Sequence, residues 1–444
     1  MNKYNLLRRI SKEYPYTLNF KTNQEDLIAF DPLIKFTGYY DRIVVELLNP
    51  AGEATFELIV ESFGSSVINV LPNFPDDFKY RNSATVLRDI ADLIASKFVI
   101  QKFTGLYGAY KYEAAYVFEN ICDEIYEGEI FTFFLFDSFI DVEKSIVVSP
   151  RNSHIKLEDL KNEENLNVSV SNIEIQLNES EYIELVEVVK GHFRAGDVFE
   201  IVIRNEFSAN YFGDVVSLYE MYAEKVKTPY QFFYDFGNEK LIGCSPELFL
   251  KIDRTGKVEI RPISGTVKRS DDVIEDHENL LYLLNSEKEK TELDMLIDLA
   301  RNDLARFCKA GVTVEGYRKI QILPYVYHTY AVVTGTIEDN IHPLDGVYSC
   351  FHAGTLTGAP KVEAMKIINK LEKSNRNYYG GCNGYYRFSG ECEFAITIRS
   401  LEIDEANEMV VLKAGATLLN ESDPKMEYQE TLNKMSGFLN LITS

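Results

Sequence analysis

Glu289 and Glu292 stand three residues apart in SEKEKTELDMLIDLARND (286–303), and Glu427 and Glu430 repeat that spacing in SDPKMEYQET (422–431). Positions i and i+3 of a helix share one face, so each pair projects two carboxylates in one direction. Two such helices brought together would line a pocket with hard oxygen donors, a set suited to a divalent cation. Like charges at this spacing cost about 0.2–0.5 kcal/mol per pair even on an exposed helix, so something positive must offset them. Mg²⁺ is the leading candidate, because it takes a few carboxylates, keeps several waters and leaves positions for an anionic ligand. Spacing alone does not establish the site: a chain with 69 acidic residues carries such pairs by chance, most of them on solvated faces.

The elements that must position these pairs read as a mixture of strands and helices. DRIVVELL (41–48), TFELIVESF (55–63) and IFTFFLFDSFIDV (130–142) are rich in β-branched and aromatic residues and predict strands. Asn49, Pro50 and Gly52 mark one reversal, and Pro72 to Asp77 another. Ser83 is placed to cap a helix running through Val86, Ile90, Leu93 and Ile94. Residues 150–175 are polar and charged, and the weak boundary between an N-terminal β-rich part (1–175) and a C-terminal part (176–444) is expected there. Beyond it the spacing predicts a helix in EYIELVEVVKGHF that breaks at Gly196. Strands follow in VFEIVIRNEFSA, YQFFYDF, KLIGCS, LFLKID and KVEIRPI, ahead of the long helix that carries Glu289 and Glu292. With no regular βαβ alternation and no Gly-rich dinucleotide loop, the expected class is α+β: large antiparallel sheets packed together and flanked by helices.

Bulk properties narrow the function. The 444 residues, 45% apolar and 13% aromatic, suffice for a globular fold with an ample core. A formal charge of -23 argues against nucleic acid or an anionic membrane as a partner, so any anionic substrate needs a local positive site. No apolar run reaches the roughly 20 residues of a membrane span, and a cytoplasmic protein is expected. Cys122, Cys244, Cys308, Cys350, Cys382 and Cys392 are scattered without zinc-like spacing and read as free thiols.

GDVFEIV (196–202), GCSPELF (243–249), RPISGT (261–266), EKEKTELDMLIDLARNDLAR (287–306), GTLTGAPKVEAM (354–365), YYGGCNGYY (378–386), AITIRS (395–400), KAGATLL (413–419) and SDPKMEYQET (422–431) occur in one order along the C-terminal 265 residues. Together they resemble the chorismate-utilising enzymes, and specifically the large, synthase component of anthranilate synthase. FDPLIKFTGYYDRIVVELLNPAGEA is similar to the N-terminal part of fused synthase and glutaminase chains. The resemblance implies the chorismate-binding enzyme fold, with Glu289, Glu292, Glu427 and Glu430 around a Mg²⁺ that binds a carboxylate of chorismate.

It also implies roles for further residues. Glu247 matches the general acid that protonates the departing ring hydroxyl, a task that needs a carboxyl kept protonated by its surroundings. His328, in YVYHTYAVV, matches the histidine beside the ring that assists proton removal as pyruvate leaves; the preceding ILPYVY departs from the Tyr-Ser pattern of relatives. Thr355 and Thr266 match pocket hydroxyls. Arg399 and Tyr379 match binders of the substrate's other carboxylate, together with Ala414 and a basic side chain assigned to position 431. Gly380, Gly381 and Gly415 would let backbone approach the ligand. Asn302, Asp303 and Arg306 read as a structural polar network. Relatives that add water to chorismate carry a lysine where this chain has Glu200, and those that make 4-amino-4-deoxychorismate often carry one where it has Ser264. Glu200 agrees with the fused anthranilate synthases, and a carboxylate there could attract ammonium.

The implied activity is Mg²⁺-dependent amination of chorismate by ammonia, followed by loss of pyruvate to give anthranilate, a step of tryptophan biosynthesis. The alternative is an enzyme that stops at 2-amino-2-deoxyisochorismate. A noncatalytic descendant should have lost its acidic site residues, whereas all five carboxylates of the motifs are present. The one Gly-x-Cys-x-Gly string, Gly380 to Gly384, lies inside the YYGGCNGYY motif of the synthase part, so ammonia is expected free or from a separate glutamine amidotransferase subunit. Tryptophan feedback in the family acts through a Leu-Leu-Glu-Ser element, of which LIVES (58–62) is a loose echo.

Overall fold

Alternation along the strands builds two sheets that face each other. In Leu18–Lys21, Asp26–Ala29 and Tyr230–Asp235, the side chains of Leu18, Phe20, Leu27, Ala29, Phe232 and Tyr234 point to one core while Ile28 and Phe233 point to another. The same period of two divides Gly105–Tyr110 and Phe131–Phe136: Tyr107, Ala109, Phe134 and Phe136 join that first core, whereas Leu106, Tyr110, Phe133 and Leu135 point away. The first core, dense in aromatic rings, is the layer between the sheets. Helices cover the outer faces, so strands buried on both sides need near-continuous apolar runs such as FTFFLF.

The computed structural model describes residues 2–70, 82–97, 101–122, 126–152, 155, 157 and 168–442. Among them one antiparallel sheet has 11 strands and the other 12. In the first, Leu18–Lys21 pairs with Tyr230–Asp235, Leu18 lying opposite Tyr234. In the second, Gly105–Tyr110 pairs with Cys382–Arg387, Gly108 opposite Gly384. Strands from before and after residue 175 therefore share both sheets. No described helix is long and apolar enough to cross a membrane.

The expected α+β class is what the chain adopts. Asn49 and Pro50–Gly52 form the expected reversal, and Gly196 ends the helix Glu179–Ala195 in the left-handed conformation at φ 82°. TFELIVESF is not a strand: it lies in the helix Glu53–Phe63, which buries Thr55 and Ile59 and stops at Gly64. Its β-branched content suggested a strand, but the buried positions four apart and the glycine after it follow a helical period. Ser83 opens the helix Ser83–Lys97, but the cap is Asn82, whose Oδ1 accepts the Thr85 N–H at 2.9 Å. The turn at 72–77 and half of the polar 150–175 stretch lie outside the described residues. The six cysteines are free, and all but Cys122 are buried.

The two acid-bearing helices ride on different sheets. Glu287–Ala305, capped by the Ser286 hydroxyl, packs on Ile263–Lys268 and Val326–Thr336; Pro424–Ile442 packs on Met409–Leu418. A buried arginine ties the loop ahead of Tyr379 to both neighbours. Arg376 is 2% exposed; its guanidinium meets Glu372 at 2.6 Å and donates to the carbonyls of Leu356 at 2.6 Å and Val202 at 2.7 Å. Removing one member of a buried pair strands the other charge, so Arg376→Met is expected to destabilise the fold by about 3–5 kcal/mol in a denaturant titration, whereas surface Arg301→Met should move it by less than about 0.5 kcal/mol.

Candidate functional site

The sheets, the two helices and the segment around Thr355 enclose a cleft of about 580 Å³. Glu289, Glu292, Glu427 and Glu430 all line it, together with Glu200, Glu247, Thr266, His328, Thr355, Tyr379, Arg399, Ala414 and Gly415. The two acidic pairs sense each other: burial pushes up the pKa of Glu289, Lys288 opposes it, and the charges of Glu430 and Glu427 push it further. Glu292 is raised by burial and then by Glu289, and Glu427 by burial with a contribution from Glu430.

Two lysines answer this negative field. Lys434 Nζ sits 2.6 Å from Glu430 and donates to the Gly415 carbonyl at 2.8 Å, and Lys288 Nζ lies 3.7 Å from Glu292. Burial alone would raise Glu430, but Lys434 overcomes it and holds that carboxylate below its usual range. The donor set is all oxygen and fits a hard cation. Among the described residues, however, no three acidic, histidine or cysteine side chains converge as a ready-made metal cage. The lysines occupy part of the role a divalent ion would take, and Glu430 would have to exchange its partner to ligate one.

Glu247 follows the strand Glu239–Ser245 and is only 5% exposed. Its Oε1 accepts from the Ile263 N–H at 3.3 Å and from the Thr355 hydroxyl at 3.1 Å. Burial pushes its pKa up to about 8, more than those two donors can offset, so at neutral pH it is predominantly the protonated acid. Glu200 begins the strand Glu200–Gly213; burial first and the Glu292 charge second push its pKa up to about 8 as well.

His328 lies on Val326–Thr336 beside Thr266 on the neighbouring strand, with Nδ1 2.8 Å from the Thr266 hydroxyl and 3.3 Å from the Gly265 carbonyl. A carbonyl can only accept, which assigns the proton to Nδ1 and leaves Nε2 as the basic nitrogen. Burial, then the Arg399 charge, pull its pKa down to about 4, so the ring is neutral at physiological pH. Arg399, at φ 50°, donates to the Lys434 carbonyl at 2.7 Å, and burial lowers its pKa from the usual arginine value.

The glycines divide. A Cβ on Gly415 would stand 2.7 Å from the Tyr379 hydroxyl at the cleft wall, and one on Gly265, at φ 80°, would stand 2.8 Å from a Glu289 oxygen. Gly380 and Gly381 do not line the cleft: Gly380 faces the Tyr112 ring, and a Cβ on Gly381 would strike the Tyr110 carbonyl at 2.1 Å. The smallness of Gly381 makes room for backbone, and that of Gly380 for the Tyr112 ring. Position 431 also needs correction. It is Thr431, fully buried, with its hydroxyl on the Tyr428 carbonyl at 2.7 Å; the basic residue of that helix at the cleft is Lys434. The Glu430-to-Lys434 and Lys288-to-Glu292 pairs at i, i+4 were signals in the sequence that point to these two lysines. Outside the cleft, Asp303 pairs with Lys361 at 2.7 Å and Arg306 donates to the Ser349 carbonyl at 3.0 Å, as a structural network should.

The chain is 38% identical to anthranilate synthase component 1 of Bacillus subtilis over 264 residues, 59% of this chain and 51% of that protein. It is 39% identical to the component 1 of Synechocystis sp. over 272 residues, 60% and 54% of the two chains. It thus spans about half the length of the curated relatives it matches. In fold it is similar to anthranilate synthase component I from Streptococcus pneumoniae, with a TM-score of 0.72 at 24% identity over 95% of this chain and 92% of that one. The menaquinone-specific isochorismate synthase of Escherichia coli shares the fold with a TM-score of 0.69 at 16% identity, covering 100% of this chain and 91% of that one. The family model of chorismate binding enzymes matches residues 73–440, and the chain belongs to that family.

Proposed function

We propose that this protein aminates chorismate with ammonia and then eliminates pyruvate to give anthranilate, as its relatives named anthranilate synthase component 1 do by name. The observation that carries the reading is the pairing, in one cleft, of a buried protonated carboxyl at Glu247 with a second carboxyl at Glu200 where water-adding relatives hold a lysine. In the first step the nitrogen lone pair forms the new C–N bond as the ring C–O bond breaks. Glu247 gives its proton to the departing oxygen, which leaves as water, and the surplus proton on nitrogen returns to the Glu247 carboxylate; Glu200, its pKa also pushed up to about 8, lines the same cleft largely protonated. Atoms and charge balance, with Glu247 protonated again at the end of the step. In the second step Nε2 of neutral His328 accepts the ring C–H proton while the enolpyruvyl C–O bond breaks, and the enolate released takes that proton at its methylene carbon and departs as pyruvate.

Arg399, Tyr379, Thr266, Thr355, Ala414, Gly415 and Lys434 are assigned to substrate binding, Arg399 and Lys434 supplying the positive charge that a dicarboxylate needs in an acidic protein. Glu289, Glu292, Glu427 and Glu430 would hold Mg²⁺, which when bound neutralises a substrate carboxylate and relieves their mutual repulsion. Residues 176–444 contain all these groups and form the catalytic part in this reading, with 1–175 as an N-terminal β-rich part. Ammonia would come from a glutamine amidotransferase partner or from solution, in the cytoplasm and in the tryptophan branch of aromatic biosynthesis.

Incubation with chorismate, MgCl₂ and ammonium chloride is expected to yield anthranilate fluorescence and one pyruvate per chorismate; chorismate consumed without pyruvate would instead end the reaction at 2-amino-2-deoxyisochorismate. Glu247 must be protonated to act, so kcat, with rates normalised to free NH₃, should fall as pH rises through about 8. Glu247→Gln should lower kcat by about 10²- to 10⁴-fold and remove that limb of the profile. An unchanged profile would exclude Glu247 as the acid.

The acidic pairs give a separate measurement. Calorimetric titration with Mg²⁺ should show binding that Glu292→Gln or Glu427→Gln weakens by about 10-fold or more, the scale seen even for groups one shell removed from a metal. Equal binding by wild type and both variants would move the ion elsewhere.

A further inference from the structure

The short turn Gly354–Leu356 links the two carboxyls at the back of the cleft. Thr355, in that turn, gives its hydroxyl hydrogen to Glu247 Oε1 at 3.1 Å. Just beyond it, the Val202 N–H donates to the Thr357 carbonyl at 2.9 Å, and Gly358–Ala359 pairs with Ile201 and Glu200. The turn is thus laced to the strand that begins at Glu200, and Glu200, Glu247 and Thr355 line one cleft.

The hydrogen bonds at Glu247 make its two oxygens different. The Ile263 N–H, at 3.3 Å, and the Thr355 hydroxyl both donate to Oε1, and Oε2 meets no donor among the described residues. In a neutral carboxyl the carbonyl oxygen is the better acceptor and the other oxygen carries the hydrogen. Two donors on Oε1 therefore assign the proton to Oε2. Thr355 is constrained in turn. A hydroxyl has one hydrogen and two lone pairs, and here the hydrogen is committed to Oε1, so toward the cleft Thr355 Oγ only accepts. The carboxylates of chorismate are acceptors themselves and gain nothing from it, whereas ammonia brings three N–H groups.

We propose that Thr355 is the proton relay of the amination: its Oγ accepts an N–H of the nucleophile and, after attack, takes the surplus proton from nitrogen as its own hydrogen passes to Glu247 Oε1. The proposal rests on the amination reading above. As the C–N bond forms and the ring C–O bond breaks, Oε2 gives its proton to the departing oxygen, which leaves as water. Glu247 is then a carboxylate and the new amine a cation. One proton moves from nitrogen to Thr355 Oγ and one from Thr355 Oγ to Oε1, which leaves a neutral amine, a hydroxyl and a neutral carboxyl. Exchange with water between turnovers restores the proton to Oε2. Nitrogen and the departing oxygen stand on different ring carbons, and Glu247 serves both, the oxygen directly from Oε2 and the nitrogen through Thr355. The relay also discharges two ions at once in a place where a buried charge is costly.

Thr355→Val keeps the shape of the side chain and removes the relay. With chorismate, MgCl₂ and saturating ammonium chloride it is expected to lower kcat about 10²-fold, the lower end of what a positioned proton-transfer group contributes. The Kd for chorismate, titrated calorimetrically with MgCl₂ and without ammonium, is expected to stay within about twofold, because Thr355 gives chorismate no hydrogen. Thr355→Ser retains the hydroxyl and is expected to recover most of the rate. A variant that binds chorismate in that titration is folded, and Thr355→Ala is read in the same way if the valine protein does not fold. Wild-type kcat in the folded valine protein overturns the relay. So does a kcat that returns to the wild-type value at higher ammonium, which would leave Thr355 only holding the nucleophile. A chorismate Kd weakened about 10-fold with kcat kept would assign the hydroxyl to the substrate instead, and each of these three results leaves the amination intact. Wild-type protein that consumes no chorismate with ammonium overturns both.

Discussion

Burial governs the charge of the carboxyl groups in the cleft, and the rest of the site is arranged around that fact. Glu200, Glu247, Glu289, Glu292 and Glu427 all have raised pKa values, with loss of solvation as the first cause. A surface cluster of the same residues would simply ionise and repel through water. Here each added negative charge must be met by a cation or kept neutral by a proton, because a low-dielectric cleft screens little. Lys288 and Lys434 meet part of the demand, and the remainder is what makes a divalent ion or a proton welcome.

Such a cleft holds only if its walls cannot move apart to let water in. The two acidic helices are anchored on different sheets, and those sheets are locked together by an aromatic layer containing Phe20, Tyr107, Phe134, Phe232 and Tyr234. Interdigitated rings at native packing density resist displacement, so the repulsion between the helices is opposed by the sandwich rather than by local contacts. Arg376 adds a second brace, joining the segments at Glu372, Leu356 and Val202 just outside the cleft wall.

Much of this was legible before the structure, and the exceptions share a physical cause. The i, i+3 acid pairs, the strand alternation and the motif order pointed to the cleft residues, because helical and extended periods are local properties of the chain. What a side chain or a glycine is for depends on what packs against it from afar. Gly380 and Gly381 looked like ligand-approach positions, yet their neighbours are Tyr110 and Tyr112, about 270 residues away along the chain. The interleaving of the N-terminal strands into both sheets, with Leu18 opposite Tyr234, is equally non-local. TFELIVESF failed for a different reason: residue preference for strands is weak, and the glycine stop at Gly64 outweighed it. Thr431 and Lys434 show the limit of motif matching within a helix. Three residues along turn the side chain back to nearly the same face, so only the packing shows which of the two reaches the cleft.

Identical residue types in this cleft must do opposite work, and their surroundings sort them. Glu247 accepts from two neutral donors and feels the Lys434 charge less than either, so burial wins and the proton stays. Glu430 is also desolvated, but Lys434 at 2.6 Å reverses the balance and fixes the anion. The separation matters because a general acid must hold a proton at the pH where its neighbours bind charge, and two carboxyls with one shared environment could not do both. His328 follows the same logic with the sign inverted: burial and Arg399 strip its proton, leaving a neutral base in the same cleft as a protonated acid. Desolvation therefore sets the inventory of acids and bases, and the placement of two lysines and one arginine decides which carboxyl becomes which.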